Sequence, residues 1–216
     1  MKLFAIINLF LLGAFSSLAQ QDPEAKIILD RVAAKTKSHT SIQADFELII
    51  ENRRDDKVSK TEGKIIIKGD KYYMESLGSK IYFDGTTLWT YQEDINEVII
   101  SVPDPDDDDF VENPSKIFDF YNRDFKYRLK EEIKLDEGWM YAIDLFPNNL
   151  QQPYSRFKVL IKKDTDELFL ITAVGKDGID YSASLFNTKY NAALSDDLFS
   201  FNPEDHKGIE VVDMRF

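Results

Sequence analysis

Short segments in which apolar and polar residues alternate make up most of the chain, and this pattern constrains the fold more than any other feature. In the first segment, Phe46 and Leu48 follow the polar residues Asp45 and Glu47. Successive side chains of a strand point to opposite faces of a sheet, so a period of two predicts a strand with one buried face. Turn residues and hairpin-sized gaps separate eleven such segments, at residues 44–50, 62–68, 71–77, 80–84, 87–92, 97–102, 127–135, 139–146, 157–163, 168–176 and 179–189.

A single amphipathic helix precedes these segments. Asp22 is a suitable N-cap, Pro23 suits the first turn, and Glu24 is favourable at the positive end of the helix dipole. Apolar residues then recur at spacings of three and four: Ala25, Ile28, Leu29, Val32 and Ala33. We therefore expect a helix, ending at about residue 36, that lies with one face on an apolar surface.

The connections between the segments determine the type of sheet. Strands joined by short turns, with no helices between them, predict a mainly β fold with an antiparallel sheet. A sheet with one apolar face must curl or be covered. Pro103 and four consecutive aspartates at 106–109 interrupt the succession, and a short helical pattern containing Ile117 and Phe118 follows. We expect a sheet with an apolar cavity, covered by the N-terminal helix and by a mid-chain helix.

The N-terminus has the pattern of a secretory signal peptide. Lys2 is followed by an apolar run over residues 3–15, and Ser17 and Ala19 supply the small residues of a cleavage site. A membrane-spanning helix needs about 20 apolar residues, and this run is shorter. We expect residues 1–19 to be removed and residues 20–216 to form one soluble, exported domain. A lipid anchor at the cleavage site would require a cysteine, which the sequence lacks.

Composition excludes several classes of function. The formal net charge is −12, from 39 acidic and 27 basic residues, whereas nucleic-acid binding needs a concentrated positive surface. With no cysteine there is no thiol catalysis, no disulfide and no cysteine-based metal site. Of the two histidines, His39 follows the helix and His206 lies in a polar tail, and both are expected at the surface. We expect neither a cofactor nor a metal.

The acidic residues do not identify a catalytic or metal site. The aspartates at 106–109 lack the alternate spacing and the glycine of a calcium loop, so a solvated loop is the favoured interpretation and calcium binding the alternative. A carboxylate pair for glycoside hydrolysis is not excluded, but no pair stands out. We predict a protein that is not an enzyme.

Apolar and aromatic strand faces are the candidate binding surface. The chain contains 16 Phe, 10 Tyr and 2 Trp, more wide aromatic faces than the predicted helices can cover. An ordinary core is the alternative for each of these residues. The residues predicted to line a cavity for acyl chains are Phe46, Leu48, Ile65, Ile67, Tyr72, Met74, Trp89, Tyr91, Ile117, Phe118, Trp139 and Tyr141.

Four segments, in order along the chain, resemble a known family. Asp84-Gly85-Thr86-Thr87-Leu88-Trp89-Thr90-Tyr91 is similar to the D-G-x-x-L-W-x-Y segment of the periplasmic outer-membrane lipoprotein carrier proteins, the LolA family. Gln43-Ala44-Asp45-Phe46 resembles the D-F element of its first strand, and residues 63–75 resemble its next two strands. Phe199-Ser200-Phe201-Asn202-Pro203 and Gly208-Ile209-Glu210-Val211-Val212-Asp213 resemble its closing motifs.

The resemblance implies a fold and a function. The implied fold is an unclosed, antiparallel β-barrel of about eleven strands with short helices as a lid. The implied function is that of a periplasmic carrier, which binds the acyl chains of lipoproteins and delivers them to the outer membrane. Its partners would be acylated lipoproteins, a lipoprotein-releasing transporter of the inner membrane and an outer-membrane acceptor, and we expect a monomer. The alternatives are a non-catalytic envelope lipid-binding or sensor protein with the same half-barrel, or an envelope hydrolase.

One position departs from the family pattern. The family commonly has an Arg-Pro pair before its third strand, and the arginine helps to latch the lid. Here Lys68-Gly69 occupies the matching place. Lysine is a point donor without the planar fork of arginine, so Lys68 is only a candidate for the latch.

Overall fold

The fold is one open antiparallel sheet with a helix on one of its faces. The computed structural model describes residues 22–103 and 125–215. Helix α1 spans Pro23–Ser38. The strands are β1 (Ile42–Asn52), β2 (Lys57–Lys68), β3 (Lys71–Ser76), β4 (Ser79–Phe83), β5 (Leu88–Gln92), β6 (Glu97–Ser101), β7 (Phe125–Leu135), β8 (Gly138–Pro147), β9 (Tyr154–Lys162), β10 (Leu168–Gly175), β11 (Ile179–Tyr190) and β12 (Glu210–Asp213).

The twelve strands form a single sheet in the order β12-β6-β5-β4-β3-β2-β1-β11-β10-β9-β8-β7. β12 and β7 are its two edges, so the sheet is not closed into a barrel. The predicted mainly β, unclosed architecture is therefore confirmed, and each of the eleven predicted segments forms a strand. The structure adds β12, which pairs with β6 in parallel, whereas every other neighbouring pair is antiparallel. The predicted leader, the aspartates at 106–109 and the mid-chain helix with Ile117 and Phe118 lie outside the described residues.

Helix α1 begins where the sequence predicts. Asp22 is the N-cap, and its Oδ1 accepts hydrogen bonds from the backbone N–H groups of Glu24 and Ala25 at 3.0 and 3.3 Å. Its Oδ2 accepts a third, from the backbone N–H of Leu129 in β7, at 3.0 Å. Burial raises the pKa of this carboxyl, but the three backbone donors outweigh it, so the pKa lies below its ordinary value. One side chain thus caps the helix and ties it to the edge of the sheet.

The apolar stripe of α1 covers one end of the sheet. Its buried residues pack on a core from β7 to β10 that includes Ile143, Phe157 and Ile171. Ala183 of β11 packs against the same core, so the covered surface extends toward the middle of the sheet. We call the face of the sheet on which α1 lies the helix face, and the opposite face the outer face.

Replacing Asp22 by Ala should lower the free energy of unfolding by about 1–2 kcal/mol, because the helix cap and the tie to β7 are lost together. Asp30→Ala is the matched control on the same helix: it removes a solvent-exposed pair with Lys26, and the better helix propensity of alanine offsets that loss, so the free energy of unfolding should hardly change. Urea denaturation measures both. Equal effects of the two substitutions would show that Asp22 is not a structural tie.

Candidate functional site

Strand register places a band of apolar side chains on the helix face of β1 to β5. One row of residues lies directly opposite one another on the successive strands β1 to β5: Ile42, Ile67, Tyr72, Phe83 and Leu88. A second row runs parallel to it, through Ala44, Ile65, Met74 and Ile81. Residues directly opposite each other in a ladder point to the same face. The two rows are therefore one apolar surface.

This surface continues the face that carries α1. Phe46 is opposite Leu185 of β11, and Leu48 is opposite Ala183, which in turn is opposite Ile171. Ala183 and Ile171 belong to the core beneath α1. The band is therefore on the helix face, beside the part that the helix covers.

Six of the predicted cavity residues lie in this band. They are Phe46, Leu48, Ile65, Ile67, Tyr72 and Met74. Phe46, Ile65, Ile67 and Tyr72 are buried, whereas Leu48 and Met74 are half-buried. Sequence reasoning missed six further members, Ile42, Ala44, Ile81, Phe83, Leu88 and Leu185. The alternation of Ile81 and Phe83 within one predicted strand was the signal that could have identified two of them.

Gly63 gives the Phe46 ring its place in the band. It lies opposite Phe46 in the β1–β2 ladder. A Cβ at this position would lie 2.5 Å from the Phe46 ring and 2.4 Å from the Glu75 carbonyl oxygen, which is closer than nonbonded atoms approach. Because it has no side chain, Gly63 therefore leaves room for the ring against β2, as glycines do where close approach to a strand is needed.

Trp89 and Tyr91 were expected to line the same cavity, and the structure places them on the other face. Register pairs Leu88, not Trp89, with Phe83, whereas Trp89 is opposite Tyr82. Tyr91 is buried in a separate cluster with Val98, Ile100 and Phe201. The expectation of one shared face is wrong because β5 carries apolar residues on both sides, so its alternation does not identify the side that continues the band.

The cluster on the outer face is covered by the C-terminal segment, residues 191–215. The Phe201 ring lies 5.0 Å from Tyr91, and His206 stacks on Phe201 at 4.4 Å between ring centroids. β12 follows and pairs with β6. Trp89, Tyr82 and Ile209 pack at the margin of this cluster. This part of the chain forms an ordinary core between the sheet and its own C-terminus.

The two predicted residues of β8 have different surroundings. Trp139 is 52% exposed. Tyr141 packs at the margin of the core beneath α1, with the Arg31 guanidinium 6.0 Å and the Lys163 ammonium 4.9 Å from its ring centroid. Both side chains point to the helix face, but neither belongs to the band over β1 to β5.

Lys68 binds the C-terminal segment. Its ammonium group donates to the Leu194 carbonyl oxygen at 2.9 Å and to the Asp196 carboxylate at 2.7 Å. Lys71 donates to the other oxygen of Asp196 at 2.8 Å. These two lysines hold the pKa of the Asp196 carboxyl at about 2, below its ordinary value of 3.8. In the part of the chain that the structure describes, Lys68 fastens the start of the C-terminal segment to the β2–β3 turn.

The depressed pKa of Asp196 gives a prediction for the pH dependence of stability. A carboxyl whose pKa is lower in the folded than in the unfolded state stabilises the fold above the unfolded value, and this contribution is lost as pH falls from about 4 to about 2. Asp196→Asn should therefore lower the melting temperature at pH 6, and its difference from the parent should shrink toward pH 2.5. Asp197→Asn, which removes a neighbouring charge that pairs with neither lysine, is the control. A difference that stays constant with pH would contradict the account.

Residues 22–103 and 125–215 contain no group of three or more His, Asp or Glu side chains that could hold a metal ion. Both histidines were expected at the surface and are instead half-buried: His39 stacks on Tyr190 and His206 on Phe201. Within the described residues, no helix is long and apolar enough to span a membrane. The arrangement is that of an open-sheet protein with an apolar face.

Comparison with known proteins identifies the family. Residues 15–165, more than half of the chain, match the family described as outer membrane lipoprotein carrier protein LolA. The chain belongs to this family. A search of proteins with curated descriptions gives no match.

Solved structures include proteins with a similar fold. An uncharacterized conserved protein from Thermus thermophilus has a TM-score of 0.58 and 16% sequence identity, over 88% of this chain and 99% of that one. A LolA superfamily protein from Nitrosomonas europaea has a TM-score of 0.42 and 12% identity, over 82% of this chain and 97% of that one. The first of these likenesses supports the fold.

Proposed function

We propose that this protein is a periplasmic carrier that binds the acyl chains of lipoproteins on the helix face of β1 to β5. The observation that carries the proposal is the apolar band beside α1. Five residues at the margin of this band are half-buried: Leu48, Met74, Ile81, Leu88 and Leu185. Membership of the lipoprotein carrier family supports the choice of ligand.

Physical chemistry explains why such a band suits an acyl chain. Each methylene group removed from water contributes about 0.8 kcal/mol of favourable binding free energy. A long acyl chain therefore crosses an aqueous compartment only when a protein covers it with an apolar surface. The band spans five neighbouring strands, and strands in a sheet lie about 4.8 Å apart. Its width of roughly 20 Å matches the length of a long acyl chain.

Strand residues alone make up the described part of the band, whereas the neighbouring core includes four residues of α1. Residues that a helix already covers are closed to a ligand. The ligand would therefore lie beside α1, in contact with the half-buried margin of the band.

The remaining parts of the proposal concern cellular context. Residues 1–19 would act as the export signal, with cleavage after Ala19. The cargo would come from an inner-membrane transporter and pass to an outer-membrane acceptor. We expect binding without turnover, since the expected ligand chemistry is burial of hydrocarbon and needs no reacting group.

Two substitutions separate binding from stability. Leu48→Asn puts an amide against hydrocarbon on the helix face and should weaken the binding of a diacylated lipopeptide about tenfold or more. Trp89→Ala should lower the free energy of unfolding by about 2 kcal/mol or more, because the outer-face cluster loses packing, but should leave affinity unchanged where the protein is folded. The measurements are lipopeptide affinity and melting temperature of each variant.

A parent protein that binds no lipopeptide would overturn the proposal. So would equal loss of affinity in the two variants, since the outer face would then be as important as the helix face. Mass spectrometry of an organic extract of the gently purified protein identifies the cargo and is independent of the substitutions.

A further inference from the structure

A small cleft lies on the helix face at the C-terminal end of α1. Its cavity volume is about 30 Å³, room for one or two polar atoms of a ligand. Leu168, from the margin of the core beneath α1, and Leu185, from the margin of the apolar band, both line it. The cleft therefore lies where the two apolar surfaces meet. Its polar lining comes from the end of α1, the β9–β10 turn and the last residues of β11.

Three of the four charged side chains that line this cleft, Lys35, Asp166 and Glu167, are ion-paired, and the ammonium of the fourth, Lys162, lies 5.8 Å from the Phe169 ring centroid. The Glu167 carboxylate pairs with the Lys35 ammonium at 3.4 Å and accepts from the Thr165 hydroxyl at 3.2 Å. The Asp166 carboxylate binds the Arg31 guanidinium through two nitrogens. Burial and the nearby Glu167 raise the pKa of Tyr190, so its hydroxyl keeps its proton. A ligand cation would compete with Lys35 and Arg31 for the two carboxylates, whereas a neutral dipole would leave these pairs in place.

In contrast to these groups, His39 has a ring nitrogen without a hydrogen-bond partner among the described residues. Neighbouring residues fix the tautomer of its imidazole. Asn191 Oδ1 accepts from the backbone N–H of Thr40 at 2.8 Å, so its Nδ2 is the amide atom 3.4 Å from His39 Nδ1. Nδ2 can only donate, which makes Nδ1 the acceptor and puts the imidazole hydrogen on Nε2. Stacking on Tyr190, at 4.0 Å and 15° between the rings, fixes the plane of the imidazole.

The Nε2 atom of His39 is buried and has no hydrogen-bond partner among the described residues. Asp180 Oδ1 also lacks a hydrogen bond of good geometry, but it lies 3.1 Å from Arg53 Nε, so its charge is compensated. A buried donor without an acceptor is unfavourable, and native proteins rarely keep one without a reason. His39 is thus an oriented, unused donor in a cleft lined by Leu168 and Leu185.

We propose that this cleft binds a carbonyl oxygen at the polar junction of an acylated ligand, with His39 Nε2–H as the donor. The junction is the ester or amide group where the acyl chain meets the glycerol or the cysteine. The acyl chain itself would leave the cleft past Leu185 and lie on the apolar band. This inference rests on the proposed function and adds a specificity: the protein distinguishes an acyl group from a plain hydrocarbon chain.

A pair of ligands that differ only in the carbonyl tests the inference. One is a lipopeptide with a dipalmitoyl-glyceryl cysteine, and the other is its dihexadecyl ether analogue, which has the same chains without ester carbonyls. The parent should bind the ester about five- to tenfold more tightly. His39→Phe keeps the stacking on Tyr190 and removes the donor, so the affinity for the ester should fall to that for the ether. His206→Phe, on the outer face, should change neither affinity.

The imidazole of the parent provides a readout that needs no variant. The ¹⁵N chemical shift of His39 Nε2 should change on addition of the ester and remain unchanged with the ether. Equal affinities of the parent for the two ligands, or equal shifts, would overturn the inference and leave the proposed function standing. Failure of the parent to bind either ligand would contradict the proposed function itself.

Discussion

A sheet of twelve strands has more apolar surface than one sixteen-residue helix can cover, and the structure depends on how that surface is distributed. Helix α1 covers the strands at one end, β7 to β10. At the other end, the apolar side changes from the helix face to the outer face at β5, whose Leu88 continues the band and whose Trp89 points to the outer face. The C-terminal segment covers that second apolar side with Phe201 and Ile209. Among the described residues, the band over β1 to β5 lies between these two covers.

Two of the four segments that resemble the family, residues 84–91 and the closing motifs, meet on the outer face. Asp84 Oδ1 accepts from the backbone N–H groups of Thr86 and Thr87 and so forms the β4–β5 turn. Trp89 and Tyr91 then meet Phe201 from the closing motif. Lys68 pins the start of the same segment through Leu194 and Asp196. These two segments therefore shape the outer face, whereas the other two, residues 43–46 and 63–75, contribute side chains to the apolar band.

Sequence patterns predicted those structural features that depend on residues close together in the chain. The cap at Asp22, the stripe on α1 and the period of two in the strands each specify structure within a few residues, and the structure confirms them. The register of β5 with β4 determines on which face of the sheet Trp89 lies. Because β5 has apolar residues on both faces, no local pattern in the sequence predicts that register. The parallel pairing of β12 with β6 and the burial of His39 against Tyr190 are contacts between residues more than a hundred positions apart, so the sequence carries no local sign of them.

The central claim is that acyl chains lie on the helix face of β1 to β5, and methyl NMR with a spin-labelled ligand tests it most directly. The ligand is a lipopeptide whose acyl chain carries a nitroxide, which broadens the signals of nearby methyl groups. Strong broadening is predicted for Leu48, Ile81 and Leu185, and much weaker broadening for Val98 and Ile100, which are buried on the outer face. Broadening centred on Val98 and Ile100, or equal broadening of both sets, would contradict the central claim.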